Sequence, residues 1–269
     1  MGMKKAGKVS FMDDLLLEIV RCKNVEDYFD KGFIEGNKCK DIIEWQKFFI
    51  EKTGKNLSKE EFRKEFRLPE PWSGYLDKAP ILFISSNPSI SENANSPRDN
   101  GEWTKRRNIV DYFEKRFSKG TISCDFWDKT ENLAGELMGK NGISRGKDYA
   151  LTEIVHCKSK DQKGVGKARP QCSGKYLKRI IEASVAEVIV CLGKHAEKTL
   201  RGLFESEWLK KEEVVFSVSC GNKERNIVFL GHPSSTNTKG RLPKTFKDAV
   251  DKKWMSQEGL DLLKEKVKK

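Results

Sequence analysis

The chain has 269 residues, enough for one large α/β core or a core with an extension. It carries 52 Lys and Arg against 40 Asp and Glu, and this net +12 favours a polyanionic partner, nucleic acid before an anionic membrane surface. No run approaches the ~20 apolar residues of a membrane span, and Asp13 and Asp14 interrupt the basic start as no secretory signal does, so a cytoplasmic protein is expected. Seven cysteines, an odd number without a Cys-x-x-Cys pair, argue against a disulfide framework.

Residues 1–75 read as a charged helical extension. Phe11–Val20 and Ile42–Ile50 carry apolar residues at helical spacing, and Ser58 before Glu60 and Glu61 resembles a capped helix start. Pro69-Glu70-Pro71-Trp72-Ser73-Gly74 breaks helix and links the extension to the first core strand. That strand, Ile81-Leu82-Phe83-Ile84, is continuously apolar, as a buried parallel strand is. It runs into Ser85-Ser86-Asn87-Pro88-Ser89, where the proline ends the ladder.

A polar loop from Ser91 to Gly101 precedes a predicted helix over Trp103–Phe117. Tyr149–His156 reads as a second strand with Glu153 as an odd guest. A basic loop, Lys158–Arg169, leads to a helix from about Cys172 to Ala183. Glu187–Gly193 is a third strand, feeding a helix from His195 to Phe204. Val214–Val218 and Asn226–Leu230 flank a turn and suggest a hairpin. The second of these ends in Gly231-His232-Pro233-Ser234-Ser235, and Ser256–Lys269 reads as an amphipathic basic helix. Cys191 and Cys220 lie in apolar strands and are expected in the core. Strands alternating with helices predict a three-layer α/β/α domain around a mostly parallel sheet.

Two buried strands thus each deliver one polar residue immediately before a proline, Asn87 and His232. Chemistry in open α/β sheets collects at such strand ends. Neither turn has the Gly-x-Ser-x-Gly elbow of a serine nucleophile, and no Walker loop or dinucleotide fingerprint is present.

The ordered set of Ser85-Ser86-Asn87-Pro88-Ser89, Thr152-Glu153-Ile154-Val155-His156-Cys157-Lys158, Val188–Gly193 and His232-Pro233-Ser234 resembles the uracil-DNA glycosylase superfamily, over roughly residues 80–240. It is closest in pattern to the branches that carry an iron–sulfur cluster. The resemblance implies a glycosylase-like α/β domain over 76–269 behind a helical extension over 1–75. It implies a monofunctional DNA base glycosylase, a monomer on single- or double-stranded DNA, which flips out uracil or another deaminated base and hydrolyses its N-glycosidic bond. The alternative is an inactive nucleic-acid-binding member of the same fold. A small-molecule N-glycoside hydrolase is disfavoured by the net charge.

By the same resemblance Asn87 positions water and His232 stabilises the departing base, with no cofactor required for catalysis. Ser86, Pro88, Ser89, Trp103, Glu153, Ser234 and Ser235 shape the substrate site, Trp103 as the aromatic floor. Glu153 stands where members that read uracil usually place an Asn. A carboxylate accepts hydrogen bonds and would meet the uracil O4 unfavourably, whereas an amino or ring N–H group suits it. Otherwise Glu153 is an outward-facing strand residue. Thr236 is small where a wedge is usual, leaving Arg241 or Leu242 for that role. Arg106, Arg107, Lys158, Lys239 and Arg241 are candidate phosphate contacts. Cys157 and Cys172 match two ligands of a structural 4Fe-4S cluster; Cys22 and Cys39 would have to supply the others, although they form no close pair.

Overall fold

The computed structural model describes residues 11–32, 34–51, 54, 56–89, 106–115, 125–204, 214–235 and 242–268. The polar loop after Ser89, Trp103, Cys124, Thr236, Lys239 and Arg241 lie outside the described residues, and for Arg106 and Arg107 only the backbone is described.

Six strands form one sheet in the order β1-β3-β2-β4-β6-β5. The strands are β1 (Trp72–Ser73), β2 (Ile81–Ser85), β3 (Tyr149–Glu153), β4 (Val188–Leu192), β5 (Val215–Cys220) and β6 (Lys223–Leu230). The central four, β3-β2-β4-β6, run parallel, with Ile81 opposite both Tyr149 and Val188 and Leu192 opposite Leu230. Their apolar runs are continuous because helices cover both faces and each strand is buried on both sides. The antiparallel edges differ from that pattern. β5 joins β6 through a tight turn at Gly221, whose φ of 65° is open to glycine at no steric cost. Trp72 and Ser73, expected in a linker, pair instead with Thr152 and Leu151 and close the other edge.

Eleven α-helices are described. α1 (Phe11–Val20), α2 (Lys23–Lys31), α3 (Lys40–Glu51) and α4 (Lys59–Glu65) precede the sheet, and α5 (Arg106–Lys115) and α6 (Asp125–Met138) follow β2. After β3 and an intervening loop come α7 (Val165–Cys172), a π-helical turn Ser173–Leu177 and α8 (Lys178–Ala183), continuous with one another. The helix expected from Cys172 therefore begins a full two turns earlier, because Val165 and Ala168 give the segment a buried face that its basic composition obscured. α9 (Lys194–Leu203) follows β4, and α10 (Phe246–Asp251) and α11 (Gln257–Lys266) close the chain.

Alternating residues sort the strands between two apolar layers. Leu82, Ile84, Ile189, Cys191, Ile227 and Phe229 face one layer together with residues from α1 to α5 and α7 to α9. Ile81, Phe83, Val188, Val190, Val228 and Leu230 face the other, filled from α6, α10 and α11. The first layer takes in Leu15, Ile19, Ile42 and Phe62, so the N-terminal helices share the core of the sheet. Cys191 and Cys220 are buried. No described helix is long and apolar enough to cross a membrane.

Candidate active site and a cysteine-lined cavity

The parallel strands bring the ends of β3, β2, β4 and β6 to one edge of the sheet. Asn87 follows β2 and His232 follows β6, on either side of β4, so their strands lie two spacings apart, on the order of 10 Å.

Backbone bonds continue past the end of β2: Ile154 and Val155 donate N–H to the carbonyls of Ser85 and Ser86, and Ser159 donates to that of Pro88. The Asn87 side chain lies across this junction. Its Nδ2 donates to the Ser159 carbonyl at 2.9 Å and to the Pro88 carbonyl at 3.1 Å. Two carbonyls on one side of the amide require its NH2 there, so Oδ1 is the end left to accept. The Ser86 hydroxyl turns inward to Gln162 Oε1 at 3.0 Å. Gln162 and Asp161 both hold positive φ, 60° and 53°, a costly conformation in a loop beside the Asn87 turn. Pro88 is buried and Ser89 is exposed.

The His232 turn is docked on the first turn of α6. The imidazole stacks on the Phe126 ring, with centroids 5.2 Å apart and planes 22° from parallel. Lys129 Nζ reaches the Pro233 carbonyl at 3.3 Å and pairs with Asp125, whose carboxylate also accepts from the Ser234 hydroxyl. The Ser235 carbonyl accepts from Lys244 at 2.6 Å. Burial, then the Lys129 charge, holds the His232 pKa below 6.5, so the ring is neutral at neutral pH. Gly193, at the end of β4, has a φ of 90°, and a Cβ there would lie 3.2 Å from that of His232. In the first turn of α9, burial and the charges of Arg169, Lys194 and Lys198 likewise hold His195 below its usual pKa.

Glu153 ends β3 in register with Ser85 and is 6 % exposed. It is a buried carboxylate one strand from the Asn87 turn, not an outward-facing residue. Two other expectations are corrected. Lys158 is 1 % exposed and ion-paired with Glu70, so it is no phosphate contact. Leu242 packs against both apolar layers instead of projecting as a wedge.

Cys22 caps the start of α2, Cys39 precedes α3, Cys157 follows β3 and Cys172 ends α7. All four are buried and line one cavity of about 290 Å³ with His156, Asn24, Lys175 and Tyr176. The Cys39 thiol hydrogen-bonds with both the Cys22 and Cys157 thiols. Neighbouring thiol and burial push Cys39 up to about 12, and burial first of all does the same to Cys172. Among the described residues no three His, Cys, Asp or Glu side chains are placed to hold a single metal ion. An iron–sulfur cluster is an extended body, and a cavity lined by four buried cysteines suits its donor set. Lys175 on the wall supplies positive charge against thiolates. The His156 Nδ1–H donates to the Glu70 carbonyl at 2.9 Å, and burial depresses its pKa to about 4.

The groups missed by sequence reading are the polar Ser159 and Gln162 at the first turn, and at the second the polar Asp125 and Lys129 with the Phe126 ring. α6 itself was not read from the sequence, although Leu133, Ala134 and Leu137 give it a buried face at helical spacing.

The mostly parallel α/β sheet carries two polar turns at its carboxyl edge, the place where open α/β sheets bind their ligands. The model of the Uracil DNA glycosylase superfamily matches residues 73–254, and the chain belongs to that superfamily. It is also similar to a Type-4 uracil-DNA glycosylase of Archaeoglobus fulgidus, 25% identical over 123 residues, which span 45% of this chain and 61% of that relative.

Proposed function

We propose that this protein is a monofunctional DNA base glycosylase with Asn87 and His232 as its catalytic pair. The observation that carries the reading is their placement at one sheet edge, with the Asn87 Oδ1 and both His232 ring nitrogens making no hydrogen bond among the described residues. In the reaction a water held by Asn87 Oδ1 attacks the sugar C1′ as the C1′–N bond breaks. The bonding electrons leave with the base, and the imidazole N–H of His232 donates to the base oxygen that gathers this charge. The water gives up its proton to solvent.

Glu153, buried beside the first turn, would read a base edge that presents an amino or ring N–H group. Ser86, Pro88, Ser89, Ser234 and Ser235 would form the two rims and Trp103 the pocket floor. Cys22, Cys39, Cys157 and Cys172 would hold a 4Fe-4S cluster, whose contribution is a structural cross-link and no step of the hydrolysis. We assign the protein as a cytoplasmic monomer, with residues 1–75 as an extension to the glycosylase domain. The buried Glu153 favours a second reading, a DNA-binding relative that has lost excision.

The test is abasic-site formation on labelled oligonucleotides carrying uracil, hypoxanthine, xanthine or a thymine mismatch, single- and double-stranded. Cleavage of one of these is expected, with His232→Ala and Asn87→Ala each slowing it by roughly 10²- to 10³-fold. No cleavage by wild type, with salt-sensitive DNA binding intact, would replace the enzyme with the binding protein.

A further inference from the structure

The ion pair between Lys158 and Glu70 is buried, at 1 % and 8 % exposure, and neither residue belongs to the catalytic pair or to the four cysteines. Burying two charges returns little net stability, which makes a specific use of their geometry worth seeking. Glu70 grips the neighbouring residue too. Its N–H donates to the His156 carbonyl at 2.8 Å, and its carbonyl accepts from His156 Nδ1 at 2.9 Å. From α3, Gln46 Nε2 donates to the Lys158 carbonyl at 3.0 Å. Residues 156–158 are therefore clamped by an anion, a peptide group and an amide from two separate segments. The next residue is Ser159, whose carbonyl is the shorter of the two partners of Asn87 Nδ2 and whose N–H donates to Pro88.

An asparagine amide turns about a soft, roughly two-fold torsion, so its orientation is set by its partners rather than by its own rotamer. We propose that the Glu70–Lys158 pair is a positioning device for Asn87. By fixing Lys158 it fixes the Ser159 carbonyl, which holds the amide with Nδ2 inward and Oδ1 toward the substrate. This rests on the catalytic role proposed for Asn87. The cysteine cavity shares the same segment through Cys157, so the test must separate the two.

The experiment compares the full-length wild type with Lys158→Met and with the double variant Glu70→Gln/Lys158→Met. The double variant leaves no charge buried alone and guards against a simple folding failure. Solvent exchange of the Asn87 side-chain amide protons is followed by NMR, their signals identified by loss in Asn87→Ala. Single-turnover rate, KM and bound iron are measured on the same samples. In both variants the Asn87 amide is expected to exchange roughly tenfold faster or more, with kcat down by about 10- to 100-fold and KM within about twofold. Iron content should equal that of wild type. Wild-type exchange at Asn87 in the double variant overturns the proposal, whatever the activity. Loss of iron in step with loss of amide protection also overturns it, because the pair would then act through the cysteine cavity. If wild type cleaves no base, the catalytic reading fails alone, and amide exchange still decides whether the pair positions Asn87.

Discussion

At the scale of single residues, the site depends on which hydrogen-bonding ends are left free. The His232 imidazole is neutral because it is half-buried against Phe126 with the Lys129 ammonium nearby. The unfolded chain takes up this proton near pH 6.5 and the folded chain only at lower pH, so between the two values the unfolded state binds more protons. The stability involved is fully present above pH 6.5 and is lost as pH falls through the folded value. Chemical denaturation at pH 7 and at lower pH should therefore show a smaller loss in His232→Gln than in wild type. An inflection of the excision rate from this ring should fall below pH 6.5, and one at or above 6.5 would mean an imidazole that burial does not affect. Glu153 makes a second residue-scale prediction. Glu153→Asn replaces an acceptor-only group with one that also donates, so uracil cleavage should rise by roughly 10- to 100-fold relative to wild type. An unchanged uracil rate beside unchanged folding would remove Glu153 from the base pocket.

At the scale of elements, the His-Pro-Ser turn is held between α6 and the end of β4. Gly193 there combines a φ of 90° with close approach to the His232 Cβ. Gly193→Ala meets both the strain of a positive-φ, extended-ψ conformation that only glycine adopts readily, about 1–3 kcal/mol, and a contact that displaces the imidazole. It should lower Tm and slow excision together. Gly202→Ala, at the far end of α9 with open space around it, is the control and should leave the rate unchanged and raise Tm slightly. Equal effects of the two substitutions would mean that backbone freedom at Gly193 has no bearing on His232. Cys22 lies between α1 and α2 and Cys39 between α2 and α3, and they line the same cavity as Cys157 after β3 and Cys172 at the end of α7.

At the scale of the whole molecule, a cluster held by these four cysteines would cross-link the N-terminal helices to the sheet. Protein purified without oxygen should carry about four iron and four sulfide per chain. Cys39→Ser should lower the iron content and open residues 11–51 to limited proteolysis while leaving the β2–β6 core resistant. Full iron in Cys39→Ser would remove Cys39 as a ligand. Metal-free wild type with a resistant N-terminal segment would show that apolar packing by Leu15, Ile19 and Ile42 holds the extension alone.

The strands were legible because a strand buried on both faces must be apolar throughout, and Ile81–Ile84, Val188–Leu192 and Ile227–Leu230 announce themselves by composition. The turns after β2 and β6 were legible for a related reason: a polar residue before proline directly after such a run ends the ladder at a defined place. Those local rules determined the parallel core and both catalytic candidates. The short strand at Trp72, the early start of α7 and the partners of each site residue were decided only by the tertiary structure. Pairing Trp72 with Thr152, docking Phe126 on His232 and bringing Cys22 and Cys39 to Cys157 and Cys172 are contacts between segments far apart in the chain. No periodicity records them, because hydrophobic spacing specifies which face of an element is buried and not which neighbour it meets.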